Sequence, residues 1–230
     1  NTKDNAAVAG LVKEIGLDAI ELCRIHVDFD NQAVYQSIID AYASAGVKII
    51  STGVNKINAN PADRALFEFT KAAGCEYMSV NFSMANIDEE LKSAEALAEE
   101  FDLKLGIHNH GGYHWLGTAE ALAWVFSKSS KRVGLCLDTA WAMDAKQNPL
   151  EMVEKFSDRL YNVHFKDFTW NSDRSHNDVP VGTGNLDLPA LLKTLDKIGF
   201  SGITVLEYEG DPENPVPALK ECVANMKKCM

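Results

Sequence analysis

No apolar run in this chain is long enough to cross a bilayer. Apolar runs such as 133–137 are strand-length, whereas a spanning helix takes about 20 residues. Positive charge is also scarce: 22 Lys and Arg stand against 33 Asp and Glu, for a formal net charge of −11. That balance repels a phosphate backbone, and no Lys/Arg cluster interleaved with aromatics offsets it. Neither a membrane nor nucleic acid is an expected partner. Cysteine is sparse and unpatterned. Cys23, Cys75, Cys136, Cys222 and Cys229 are odd in number and show no CxxC spacing; three of them fall inside predicted elements as small core residues, and all five read as reduced thiols. Residues 1–9 carry neither the basic nor the apolar region of a signal peptide. The expectation is therefore a cytoplasmic protein, unless a signal has already been removed. A Gly-rich phosphate loop is missing after every early strand, which counts against a doubly wound dinucleotide-binding sheet, the runner-up architecture.

What the chain does have is a regular alternation of helix and strand. Its 230 residues, 46% hydrophobic and 24% charged, suit one large α/β domain over 1–230. Apolar residues at helical spacing predict helices over 6–15, 31–45, 61–73, 88–101, 118–127, 149–156, 188–198 and 216–228. Strand-like runs fall at 18–24, 47–51, 76–81, 104–108, 133–138, 161–165 and 203–207. Eight helices and seven strands fit a (β/α)8 TIM barrel whose first strand is missing from this chain, either removed or leaving the barrel open at that place.

All six histidines, His26, His108, His110, His114, His164 and His176, fall at or just beyond the C-terminal end of a predicted strand. In parallel α/β architectures those ends form the face on which active sites are built; for any single histidine, the tendency of polar residues to collect in loops is the plainer explanation. Strand parity narrows the set, because alternate residues point to opposite faces. Gly134, Cys136 and Asp138 share one face of their strand, and Asn162, His164 and Lys166 share one face of theirs. His108 and His110 project to the same side, and Glu207 ends the last strand. Two imidazoles, an aspartate and a glutamate at one rim suit one divalent ion, Mn²⁺, Zn²⁺ or Co²⁺, with Mg²⁺ less favoured by the imidazoles. The alternative is a hydrogen-bonded polar rim that holds no metal.

Glu21, with Arg24 and His26 beyond it, can reach a substrate hydroxyl or form a salt bridge, and Asn81 is a similar polar strand end. Trp124 lies in a predicted helix and reads as core. Gly182 and Gly184 make either an anion-binding turn or an ordinary loop.

Five segments together carry a resemblance: IHNHG at 107–111, GLCLDT at 134–139, HFKD at 164–167, VGTG at 181–184 and LEYEGD at 206–211. In order and spacing they resemble the sugar phosphate isomerase/epimerase family of the xylose-isomerase-like barrel superfamily, from Leu103 to the C-terminus and more loosely throughout. The superfamily also holds D-tagatose 3-epimerase, inosose dehydratase and endonuclease IV. The resemblance implies a divalent-metal-dependent sugar isomerase or epimerase that abstracts a proton next to the carbonyl of a small sugar or polyol. An inosose-type dehydratase and a non-catalytic sugar-binding barrel are the alternatives; the acidic charge disfavours an endonuclease. A homo-oligomer is allowed.

The family's metal ligands fall on Asp138, His164 and Glu207, and its mid-barrel ligand, a glutamate in the epimerases, falls on His108. That exchange removes a carboxylate from the epimerases' acid/base pair. Glu207 is then the expected base, with His114 or Lys166 returning the proton. Where many relatives have a histidine three residues after the metal aspartate, this chain has Trp141, which suits stacking on a sugar face, as do Trp115 and Trp170. His110, Trp141, Glu21 and Trp115 are the candidate substrate-binding side chains. Asp167 and Glu209 are expected to orient His164 and the last-strand loop.

Overall fold

In the computed structural model, which describes residues 3–229, nine strands form: β1 (Ala19–Leu22), β2 (Lys48–Lys56), β3 (Tyr77–Asn81), β4 (Lys104–His108), β5 (Val133–Asp138), β6 (Leu160–Phe165), β7 (Asp167–Trp170), β8 (His176–Val179) and β9 (Ile203–Leu206). Seven are hydrogen-bonded in the order β1-β2-β3-β4-β5-β6-β9, and β7 and β8 make a separate antiparallel hairpin. The pairs β1–β2, β2–β3, β3–β4 and β6–β9 are parallel. The seven sheet strands are those expected from the sequence.

The described residues group into two compact units, one holding 3–108 with Ala123–Leu135, the other Asn109–Leu122 and 136–229. In the first, helices α1 (Asn5–Ile15), α2 (Tyr35–Ser44), α3 (Asp63–Ala72) and α4 (Ile87–Phe101) alternate with β1 to β4. Asp4 caps α1 by accepting the Ala6 N–H at 3.0 Å, and Gly16 ends it at a φ of 91° that only glycine takes without strain. Phe69 receives Phe29 and Tyr35 edge-on at 5.4 and 4.9 Å. Leu66, Phe67, Met78, Val80, Leu105 and Ile107 are fully buried with them.

The second unit contains α6 (Thr139–Asp144), α7 (Pro149–Lys155), α8 (Leu188–Lys197) and α9 (Val216–Cys229), and α5 (Ala119–Lys128) is divided between the two. Val153, Val163, Phe165 and Leu191 are buried in its core. The β6–β9 register sets His164 opposite Val205 and Phe165 opposite Leu206, and the Glu207 N–H continues the ladder to the Phe165 carbonyl at 3.1 Å. The last-strand glutamate is thereby carried to the end of β6.

Three features differ from expectation. Helix α6 was not foreseen, because it starts directly on Asp138 without a turn residue and is too short to show a period. The β7–β8 hairpin was not foreseen either, although Asn171, Ser172 and Asp173 between its strands are turn-forming residues. Trp124 is not core: it is 46% exposed, and the Lys128 ammonium lies 4.3 Å from its ring centre. Leu122, Val125 and Phe126 occupy the buried stripe of α5, and Trp124 falls outside their helical spacing. All five cysteines are free, with Cys75, Cys136 and Cys222 buried. No helix among the described residues is long and apolar enough to cross a membrane.

Candidate metal centre

Asp138 ends β5 with no exposed surface. Its carboxylate caps α6 by accepting the Trp141 N–H at 2.8 Å, so strand end, cap and helix start coincide in one residue. Asn109 clamps the Asp138 backbone from both sides: its amide donates to the Asp138 carbonyl at 3.0 Å and accepts the Asp138 N–H at 2.8 Å. Thr139 ties β5 to β6, its hydroxyl donating to the Lys166 carbonyl at 2.6 Å and accepting the Lys166 N–H at 3.0 Å. Neither Asn109 nor Thr139 was singled out from the sequence, although both lie inside the quoted motifs.

At the end of β6, His164 Nδ1 lies 2.6 Å from Glu207 Oε2. Lys166, wholly buried, donates to Glu207 Oε1 at 2.8 Å and to the Glu209 carboxylate, with Asp178 Oδ2 at 3.5 Å. Burial pulls the Lys166 pKa down, but the charges of Glu207 and Asp138 and the hydrogen bonds to Glu207 and Glu209 overcome it, and the net shift is upward. Lys166 is thus an ammonium at neutral pH.

Asp138, His164 and Glu207 each offer one ligand atom, and these atoms all lie within 4.8 Å of one another. An imidazole nitrogen and two carboxylate oxygens make a mixed set that borderline divalent cations accept, so the residues fit a metal. His108, the fourth expected ligand, ends β4 and is buried.

The other expected residues are placed as follows. The His110 ring stacks on Trp141, centroids 4.0 Å apart and planes at 22°. His114 Nδ1 accepts the Leu116 N–H at 3.2 Å, which assigns its ring proton to Nε2. Trp115 is half-buried in the loop after β4. Glu21, on β1, receives the hydroxyls of Ser51 and Ser79. Trp170 Nε1 donates to Asp144 at 3.5 Å.

One expectation is corrected, and one open alternative is decided in favour of the ordinary loop. The carboxylate of Asp167 accepts the N–H groups of Gly182, Gly184 and Leu186 at 3.0, 2.9 and 2.9 Å; it organises this loop and not His164. For the same reason the glycine turn is no site for an external anion, because its donors already hold one of the protein's own.

The profile of the family described as xylose isomerase-like TIM barrel matches residues 9–229. The chain belongs to that family. Its fold is accordingly the TIM-barrel fold, and the xylose isomerase-like barrel from Mycobacterium smegmatis solved in complex with magnesium shows the same fold, with a TM-score of 0.78 at 15% identity, covering 97% of this chain and 86% of that one. Among curated relatives, the rhizopine catabolism protein MocC of Rhizobium meliloti is 30% identical over 138 residues, 54% of this chain and 42% of that protein. Inosose dehydratase of Lacticaseibacillus casei is 26% identical over 135 residues, 52% of this chain and 45% of that protein. The matches span less than half the length of these relatives.

Proposed function

We propose that this protein is a divalent-metal-dependent enzyme that abstracts a proton next to a carbonyl of a small sugar or polyol, with isomerisation or epimerisation as the outcome. The observation that carries the reading is the gathering of Asp138, His164 and Glu207 ligand atoms, with His108 as the fourth ligand expected from the sequence. The two imidazoles of that set favour Mn²⁺, Zn²⁺ or Co²⁺, while the magnesium in the M. smegmatis neighbour keeps Mg²⁺ among the candidates. When bound, such an ion supplies Lewis-acid polarisation of a carbonyl and acidifies the adjoining C–H.

The remaining steps belong to the chain itself. Glu207 takes the proton: its carboxylate is held in one orientation by Lys166 and His164. His114 or Lys166 returns a proton; the acidic neighbours that hold Lys166 charged also make it a weak acid. Stacked His110 and Trp141 offer an apolar face to a sugar ring, with Trp115 as a further contact. Five free thiols suit a reducing compartment such as the cytoplasm.

The L. casei relative's activity favours a second outcome from the same first step, in which loss of a β-hydroxyl gives dehydration. Both outcomes are tested by elemental analysis of the purified protein and a screen of keto- and aldo-sugars for solvent deuterium incorporation at carbon. Product analysis then separates dehydration from isomerisation. A chain that holds no stoichiometric divalent ion and exchanges no C–H would instead be a sugar-binding barrel without catalysis.

A further inference from the structure

The unit that carries Asp138, His164 and Glu207 also contains a cavity of about 350 Å³, with Trp141, Phe168, His176, Asp178, Glu209 and Gly210 among its lining. That volume suits a small-molecule site. Its walls divide by chemistry. On one side, Phe168 and His176 stack with centroids 4.0 Å apart and planes at 7°, and Trp141 stands edge-on to both at 5.0 and 5.1 Å. On the other is Asp178, whose side chain is only 9% exposed.

The two oxygens of Asp178 are used unequally. Oδ2 accepts the Glu209 N–H at 3.1 Å and lies 3.5 Å from the Lys166 ammonium. Oδ1 is buried and accepts no hydrogen bond from the described residues. A buried carboxylate oxygen short of donors keeps a desolvation penalty that a donor from a ligand relieves. Burial pushes the Asp178 carboxyl up to about 6 against the opposing charge of Lys166, so it is still mostly ionised at neutral pH. Gly210 lets the loop after β9 lie against β8, since a Cβ there would stand 2.6 Å from the Asp178 carbonyl oxygen.

We propose that this cavity is a subsite for a neutral polyhydroxylated ligand, in which Asp178 Oδ1 accepts a hydroxyl hydrogen bond while the Trp141 and His176 rings pack on a C–H face, with the buried Phe168 ring stacked behind His176. The inference rests on the sugar or polyol reading above and narrows it. Lys166 is already shared among Glu207, Glu209 and Asp178, so a phosphoryl group here would face carboxylates without a cation of its own. The part of the ligand held by the hairpin is therefore unphosphorylated.

The test is calorimetric titration of the zinc-loaded full chain with myo-inositol, D-fructose and D-fructose 6-phosphate, repeated on Asp178→Asn and Asp178→Ser, with zinc content measured throughout. At least one neutral polyol should bind the wild type, and both variants should bind it at least tenfold more weakly at unchanged zinc content. The phosphate ester should bind more weakly than that polyol. Unchanged polyol affinity in either folded variant overturns the subsite, as does no binding of either neutral polyol, or tighter binding of the phosphate ester. Loss of zinc together with polyol also overturns it, because Asp178 would then act through Lys166 and Glu207. The two readings fail separately: polyol binding that depends on Asp178 without C–H exchange would sink the proposed reaction alone, whereas exchange insensitive to Asp178 would sink the subsite alone.

Discussion

His164 Nδ1 stands 2.6 Å from Glu207 Oε2, although 43 residues separate them along the chain. Parallel register brings this about: with Phe165 opposite Leu206, the first residue past β9 comes alongside the end of β6. A nitrogen lone pair facing a carboxylate oxygen at that distance is repulsive, so a proton or a cation belongs between them. On its other oxygen, the same glutamate accepts from Lys166.

Asp138→Asn and His164→Ala should each abolish stoichiometric divalent-metal binding while the circular dichroism spectrum stays native. Asparagine caps helices about as well as aspartate, so the α6 cap is kept and Asp138→Asn should change stability by no more than about 1 kcal/mol. Elemental analysis of both variants is the check; metal content equal to wild type in the pair would remove the proposed centre.

Glu207→Gln should behave differently. The amide oxygen preserves one acceptor for Lys166 but cannot take a proton from carbon, so metal is retained more often than in the Asp138 and His164 variants while solvent deuterium exchange into the substrate is lost. Wild-type exchange rates in this variant would move the base role to another group.

Gly184→Ala should destabilise the protein by about 2 kcal/mol or more, a loss expected where a new atom meets a buried hydrogen-bonded group. The added Cβ would fall 2.4 Å from Asp167 Oδ1, in the middle of the three N–H donors that hold that carboxylate. Urea denaturation measures it, and a midpoint equal to wild type would show that the loop relaxes freely.

The raised Asp178 pKa gives a pH test. A carboxyl whose folded value is about 6 against 3.8 unfolded contributes stability below pH 3.8 that is lost as pH rises through 6. Asp178→Asn lacks this contribution. Its stability relative to wild type should therefore improve between pH 4 and pH 7, by on the order of 2 kcal/mol, since each tenfold change in proton affinity is worth about 1.4 kcal/mol. Parallel stability-versus-pH curves for the two proteins would contradict the buried, ionised state of this side chain.

Much of the molecule was legible along the chain. The seven sheet strands and the longer helices around them follow from periodicity and parity, which depend only on neighbouring residues and survive without any knowledge of what packs against them. Partners were not legible in that way. That Asp167 serves the 182–186 loop and not His164, that Lys166 is shared by Glu207, Glu209 and Asp178, and that Trp124 faces solvent are set by strand register and helix rotation. Those are collective properties of the packed chain, decided by which arrangement buries the most apolar surface and leaves the fewest buried polar groups unmatched.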